Sequence, residues 1–562
     1  MALPHQKSGI RFGMLYRSAA LKKMQTTPLD VLIIGGGITG VGIALDAASR
    51  GLRVGLVEKS DFAAGTSSRS TKLVHGGLRY LKNYEFRLVR EVGQEREVVF
   101  RNAPHLVKAM PIMLPLMPRG QLGPIMTSLG LWLYDRLAGV RKPERRKMLS
   151  GQKTVAQEPL LDATKVLGGG LYVEYRTDDA RLTLEVAKKA VEFGASVVNH
   201  VQVNDFVYGE HQGKNEQVVG VQCEDQISKK RFNIKAGIVV NACGPWVDFM
   251  RNLDAPIQGK KLVLTKGVHI VVPHARLPVK QIIYFDVADG RMVFAIPREG
   301  MTYVGTTDTH FDEATDEPGA TAEDITYILN AANDMFPSAE LTAADVCSTW
   351  SGLRPLIFEP QKGPSELSRK DEVFVSRSGL VSIAGGKLTG YRKMAERVMD
   401  VVSQQFSSEI KKRVCDHSLT AHIALGENPF GHVSEVDDLI TRLQEKVNKL
   451  KGPLGLAETL VRRYGRSAMR IWMEAEGQMA GIYNMRSLFL SELRFCINYE
   501  MAVTPSDFLV RRTSMLYFQR QAITPELVDL LMIEMKNELG PDLLDWQNEQ
   551  RQLQELIDAN IP

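Results

Sequence analysis

No run of about eighteen consecutive apolar residues occurs in this chain, so no segment reads as a membrane-spanning helix. Cysteine is scarce: five in 562 residues (Cys223, Cys243, Cys347, Cys415 and Cys496), scattered and without C-x-x-C spacing. That usage predicts a reducing compartment and argues against both a disulfide framework and a metal site. Excess charge is also lacking. A net charge of +5 is small for this length, so composition makes no case for a nucleic-acid partner. Acids are missing altogether from residues 1–29, which carry Lys7, Arg11, Arg17, Lys22 and Lys23. No apolar signal-peptide core accompanies them. This stretch reads as a disordered basic extension, with a transit-like peptide or a surface-binding arm as alternatives.

What is present is organised around Asp30–Glu58. Asp30-Val-Leu-Ile-Ile34 is an apolar run suited to a strand buried on both faces. Gly35-Gly-Gly37-Ile38-Thr39-Gly40 follows, then a helix from Val41 to Arg50 and a second apolar run ending at Glu58, eighteen residues past Gly40. Strand, G-x-G-x-x-G, helix, strand and acid in register predict a dinucleotide site. Gly35 allows a sharp turn, Gly37 a close approach to pyrophosphate, and Gly40 tight helix–strand packing. The helix N-terminus offers free N–H groups to the pyrophosphate. Glu58 can accept from ribose hydroxyls and would repel a 2′-phosphate. NAD and FAD are not distinguished by this stretch.

The length predicts roughly two to four domains. After Glu58 the chain leaves the nucleotide fold through a hydroxyl- and glycine-rich segment, a habit of flavoproteins rather than of NAD dehydrogenases. There Thr66, Ser67, Ser68 and Ser70 can bond phosphate or ribityl oxygens. Gly120–Tyr134 is uncharged and largely apolar, and Arg141-Lys-Pro-Glu-Arg-Arg-Lys147 follows it. This pairing suits either a membrane interface with its basic flank on anionic lipid or a buried helix beside a solvated loop. Asp178 caps a helix through Phe193, and Lys261–Asp308 alternates as an antiparallel sheet would. From about residue 406 the pattern is helical, with starts at Ser434, Thr504-Pro and Thr524-Pro. No D-x-D-x-D-G-x₅-E calcium loop occurs there, and no metal is expected.

Eight segments together resemble the FAD-dependent, membrane-associated respiratory glycerol-3-phosphate dehydrogenase family. They are Gly35–Gly40, Ser70-Thr-Lys-Leu-Val-His-Gly-Gly-Leu-Arg-Tyr-Leu81, Asp178-Asp-Ala-Arg-Leu182, Asn241-Ala-Cys-Gly-Pro-Trp246, Lys266-Gly-Val-His-Ile-Val-Val-Pro273, Gly305-Thr-Thr-Asp308, Ser351-Gly-Leu-Arg-Pro-Leu356 and Gly385-Gly-Lys-Leu-Thr389. They run in order through about residues 30–400. Two positions depart: Gly390 stands where some relatives have a second threonine, and Cys243 where relatives often have threonine.

The resemblance implies an α/β fold, a Rossmann-like FAD-binding domain interleaved with an antiparallel-sheet substrate domain of the glutathione-reductase/D-amino-acid-oxidase kind. The FAD domain would comprise about residues 30–105, 170–245 and 350–405, and the substrate domain about 106–169 and 246–349. A C-terminal helical domain would cover 406–562. It also implies oxidation of sn-glycerol-3-phosphate to dihydroxyacetone phosphate, with electrons passing from FAD to a membrane quinone. The setting would be peripheral, at the cytoplasmic face of the membrane in a bacterial cytoplasm, and assembly as a homodimer is left open. An oxygen-using oxidase of the same family is the alternative, although the mid-chain insertion usual in those oxidases is absent.

Three chemical needs pick out the residues. A phosphate dianion suits arginine's planar fork, and Arg79, Arg354 and Arg369 are the candidates. The C2 hydroxyl must lose a proton as its hydride leaves, and His269 is the best general base. Arg354 could instead stabilise the alkoxide. Tyr80 can bond substrate or close the pocket. Negative charge on the reduced flavin would be met by Lys387 and the N–H groups of Gly386 and Leu388, beside Thr389.

Overall fold

Two sheets and the helices packed on them make up the fold, which a computed structural model describes for residues 10–77, 81, 85–118, 123–211, 214–312, 316–358 and 370–561. The first sheet runs in the order Asp371–Val375, Val381–Gly385, Arg231–Asn241, Leu29–Ile34, Val54–Val57, Ser196–Val198. Its inner strands are parallel, and Leu29–Ile34 is buried along its whole length. That is why it reads as an unbroken apolar run rather than an alternating one. Val31 and Ile33 face the helix Ile38–Ser49, which packs against the helices Asp179–Glu192 and Tyr391–Gln404. Leu32 and Ile34 face the other way, toward an antiparallel hairpin, Val201–His211 with Lys214–Asp225, that continues into Arg231–Asn241.

The N-terminal extension departs from the disordered tail expected of it. Met14–Thr26 is a helix whose Arg17, Ala20, Leu21 and Met24 are buried on the nucleotide domain. Those positions fall at i, i+3, i+4 and i+7, one face of a helix, but Arg17 is among them, so the sequence shows no apolar stripe there. Burying an apolar side chain of this size stabilises by about 1.5–3 kcal/mol. One of the extension's cations is internal: Arg17 pairs with Asp225 at 2.6 Å and donates to the carbonyls of Asn199 and His200, while Arg11, Lys22 and Lys23 are exposed.

The second sheet orders Thr309–Phe311, Leu262–Pro273, Met301–Gly305, Met292–Arg298, Ile282–Asp286, Lys108–Leu116, Gly168–Arg176 and Leu73–Val74, with Ser348–Ile357 also on Leu262–Pro273. It is antiparallel except where Ile282–Asp286 pairs in parallel with Lys108–Leu116. Boundaries expected near 170 and 350 cut through Gly168–Arg176 and Ser348–Ile357, both of which belong to this sheet. Strand partners distant in sequence decide membership, and local pattern does not show them.

The C-terminal helices sit directly on this sheet and not apart from it. Trp350, Tyr303 and Tyr172 share one apolar core with Tyr517, Phe518, Trp472 and Leu493. Two buried ion-pair groups tie the same helices to the nucleotide domain. Arg181 makes two bonds to Glu500, and Arg511 and Arg512 both pair with Asp61.

Candidate active site

A cavity of about 900 Å³ runs from the glycine turn to the second sheet, and its walls come from both sheets and from the C-terminal helices. Gly35 turns the chain at φ +111°, a conformation that disfavours any side chain. A Cβ on Gly40 would lie 1.9 Å from the Gly35 carbonyl oxygen, so strand and helix can meet only with glycine there. Gly37 is the N-cap of Ile38–Ser49 and lines the cavity with Gly35, Ile38 and Thr39. Glu58 lines it too. Its carboxylate accepts from the backbone N–H groups of Gly36 (2.6 Å) and Ser60 (2.9 Å), while burial pushes its pKa up.

The hydroxyl segment divides. Ser67 lines the cavity, its Oγ accepting from Ile38 N–H at 2.9 Å. Thr66 lines it as well but donates to the Leu353 carbonyl at 2.6 Å. Ser70 also lines it, yet both its N–H and its hydroxyl are bound to Asp179 (3.0 and 2.7 Å), so its side chain is spent on protein. Ser68 stands apart from the other three. It is buried and does not line the cavity, although it shares the 3-10 turn Thr66–Ser68 with two residues that do. Thr389 likewise is fully buried off the wall, its hydroxyl engaged with the N–H and carbonyl of His75.

At the far end, Gly385 and Gly386 have φ of +77° and +90°, turning the strand Val381–Gly385 into the helix Tyr391–Gln404. Gly386, Lys387 and Leu388 line the cavity, and Lys387 Nζ donates to the His75 carbonyl at 2.8 Å. A cation and two N–H groups at one spot suit an anion.

His269 and Arg354 are brought together by adjacent antiparallel strands, Leu262–Pro273 and Ser348–Ile357. The His269 ring stacks on Trp350 (4.7 Å, 13°) and its Nε2 contacts Thr71 Oγ1 at 3.0 Å. Its Nδ1 has no partner among the described residues. Burial, with the Arg354 and Lys72 cations beside it, holds the imidazole well below its usual pKa. It is therefore neutral at pH 7, with the lone pair a base needs. Arg354 is oriented by Thr306 Oγ1 (2.9 Å), the Thr307 carbonyl (3.2 Å) and Asp308 (3.1 Å). Glycines make the room: a Cβ on Gly267 would meet Arg354 Nη2 at 2.1 Å, and one on Gly305 would meet His269 Cδ2 at 2.4 Å. Arg79, Tyr80 and Arg369 lie outside the described residues.

Several wall or support residues carried no sequence role. Lys72 is buried, donates to Asp179 (2.6 Å) and to the Ser68 carbonyl (2.8 Å), and its ammonium lies 5.5 Å from the Trp350 ring centroid. Lys72, Thr71 and Asp179 all sat inside the quoted motifs, so the signal was at hand, but a motif does not say who touches whom. Asp507, Arg511 and Glu549 reach the cavity from the C-terminal helices. Nothing local announces that.

Residues 30–392 match the family model described as FAD dependent oxidoreductase, and residues 431–551 the C-terminal domain of alpha-glycerophosphate oxidase. The aerobic glycerol-3-phosphate dehydrogenase of Bacillus subtilis (strain 168) is 49% identical over 514 residues, covering 90% of this chain and 91% of that protein. The Staphylococcus saprophyticus aerobic glycerol-3-phosphate dehydrogenase is 47% identical over 506 residues, 90% of each. The structure of glycerol-3-phosphate dehydrogenase from Bacillus halodurans, complexed with FAD, aligns at TM-score 0.81 and 40% identity, covering 98% of this chain and 99% of that one.

Proposed function

This chain belongs to the FAD-dependent glycerol-3-phosphate dehydrogenase family, and from that premise we propose that it oxidises sn-glycerol-3-phosphate to dihydroxyacetone phosphate and delivers the electrons to a membrane quinone. The observation that carries the reading is the convergence of neutral His269, oriented Arg354 and cationic Lys387 on one cavity with the glycine turn. The residues present fit FAD. Glycines 35, 37 and 40 leave a side-chain-free cradle at a helix N-terminus for its pyrophosphate, Glu58 suits a ribose, and Lys387 with the 386–388 backbone suits the flavin's anionic edge. When bound, FAD supplies the acceptor for the C2 hydride.

The chain's own residues do the rest. His269 takes the C2 hydroxyl proton, while Thr71 and Trp350 hold the ring in place. Arg354, its guanidinium pinned by Thr306 and Asp308, stabilises the oxyanion that forms and helps to orient the phosphate. Arg79 and Arg369 are assigned to the same phosphate and Tyr80 to the substrate pocket. Lys387 balances the negative charge that reduction places on the cofactor.

A peripheral position on the cytoplasmic face of the membrane is part of this proposal. The helix Pro124–Leu137 buries Leu131 and Tyr134 but leaves Ile125 83% exposed, and Met126, Leu129 and Trp132 are exposed with it. Arg141, Lys142 and Lys147 follow in the exposed connection. An apolar face beside cations suits the interface of an anionic bilayer. The test is anaerobic reduction of the yellow protein by sn-glycerol-3-phosphate, then reoxidation by a soluble quinone or by air. Bleaching followed by fast quinone and slow oxygen reoxidation supports the proposal. Fast peroxide formation would move the acceptor to oxygen, and no bleaching would sink the substrate assignment.

A further inference from the structure

Behind the cavity wall three polar side chains are buried together, and none of them has a part in the proposed chemistry. Tyr134, Glu174 and Arg96 are each 1% exposed and do not line the cavity. Tyr134 comes from the helix Pro124–Leu137, Glu174 from the strand Gly168–Arg176, and Arg96 from the helix Phe86–Asn102. The Tyr134 hydroxyl donates to Glu174, and Arg96 Nη1 pairs with the other carboxylate oxygen at 3.0 Å. Taking an ion pair out of water costs several kcal/mol per ion, and well-packed apolar residues of similar volume are often as stable. Packing alone does not account for this trio.

What the trio holds is one backbone amide. The Gly76 N–H donates to the Tyr134 hydroxyl at 3.1 Å and to Glu174 Oε1 at 3.2 Å. The carbonyl of the same trans amide belongs to His75, which lines the cavity. It accepts from Lys387 Nζ at 2.8 Å and from the Thr389 hydroxyl at 3.3 Å. In a trans peptide the N–H and C=O point in opposite directions, so the anion grips one end of the amide and the cation the other. Only glycine permits the approach, since a Cβ on Gly76 would meet Tyr134 Oη at 2.2 Å. An amide whose N–H is bound to a carboxylate is a stronger acceptor at its carbonyl, because hydrogen bonds in a chain polarise one another.

We propose that Tyr134 and Glu174 are positioning residues for Lys387, acting through the His75–Gly76 amide to fix its ammonium where the reduced flavin's negative charge develops. The proposal rests on the function proposed above, in which Lys387 faces the anionic edge of the cofactor. A cation fixed before the charge develops stabilises it without reorganisation, whereas a loosely held lysine swings into water and is screened. Arg96 keeps the carboxylate in place, so the contacts run in one line from Arg96 through Glu174, Tyr134 and the amide to Lys387.

The test is the flavin midpoint potential of the holoenzyme, set with a chemical reductant and a reference dye, in Tyr134→Phe, which removes one oxygen and keeps the ring. The expected result is a shift of about tenfold toward oxidised flavin in the two-electron equilibrium, ~30 mV lower. In a Lys387→Met background the same substitution should move nothing. Glu174→Gln is the second variant, and its sign is diagnostic. Deleting a nearby negative charge acts directly to raise the potential, whereas weakening the amide's grip on Lys387 lowers it. A fall in Glu174→Gln therefore supports the relay, and a rise would overturn it. An unchanged potential in Tyr134→Phe, or an equal fall in the Lys387→Met background, would overturn it as well. So would loss of flavin from both variants, since the trio would then serve the fold. Failure of the parent to bleach with glycerol-3-phosphate would overturn the proposed function alone, because the potential is set without that substrate.

Discussion

The two ends of the main cavity are built on different principles. At the nucleotide end, twenty-nine consecutive residues, Asp30–Glu58, form strand, turn, helix and strand, and each glycine has a reason within that unit. At the substrate end, neighbours come from everywhere: Thr71 touches His269, Asp179 holds Ser70 and Lys72, and Arg354 reaches Asp308. A local site fails by local obstruction. A distributed one fails through loss of any of several remote partners.

The largest effect should come from obstructing the local end. Gly40→Val places carbon atoms against the Gly35 carbonyl, and we expect purified protein without flavin absorbance. Retained yellow colour would show that the turn can relax. Next, Arg354→Lys keeps a cation for Asp308 but loses the planar fork. It should bind FAD normally and lose about 10²-fold or more in kcat/KM for glycerol-3-phosphate. Loss of flavin in this variant would mean that the two ends are not separable.

Asp179→Asn breaks the distributed support without touching substrate. It leaves the buried Lys72 ammonium without a counter-charge, held by the Ser68 carbonyl alone, and a urea titration should show destabilisation of about 3–5 kcal/mol. The Arg181–Glu500 pair sharpens the point by pH. Burial raises the Glu500 carboxyl, but the Arg181 guanidinium bonded to it, with the Lys188 and Arg512 cations nearby, holds it down to about 2 from 4.5. A depressed carboxylate contributes stability above its unfolded pKa and loses it as pH falls through the folded one. About 3 kcal/mol should therefore vanish between pH ~4.5 and ~2, and Glu500→Gln should flatten that limb. The smallest effect belongs to the surface. Leu129→Ser should leave flavin and substrate reduction alone and lower partitioning onto anionic vesicles severalfold, measured by sedimentation.

The same contrast explains what could be read early. The βαβ unit was legible because a buried parallel strand and a glycine turn impose their residues on a contiguous stretch. The wall residues His269, Arg354 and Lys387 were found through motifs, whose glycines mark close approaches. Lys72 and Asp179 were quoted but went unassigned, for a buried ion pair looks in sequence like two ordinary charges. Met14–Thr26 was misread because Arg17 looks like a solvent residue until Asp225, more than two hundred positions away, is seen to neutralise it.

By itself the sequence determined the family, the FAD cofactor, the α/β class and the helical C-terminal region, all encoded in local periodicity and short motifs. Tertiary structure alone decided which hydroxyls reach the cavity, where the sheets begin and end, and that the C-terminal helices close the site. Those depend on pairings between strands and helices hundreds of residues apart, and no window along the chain contains both partners.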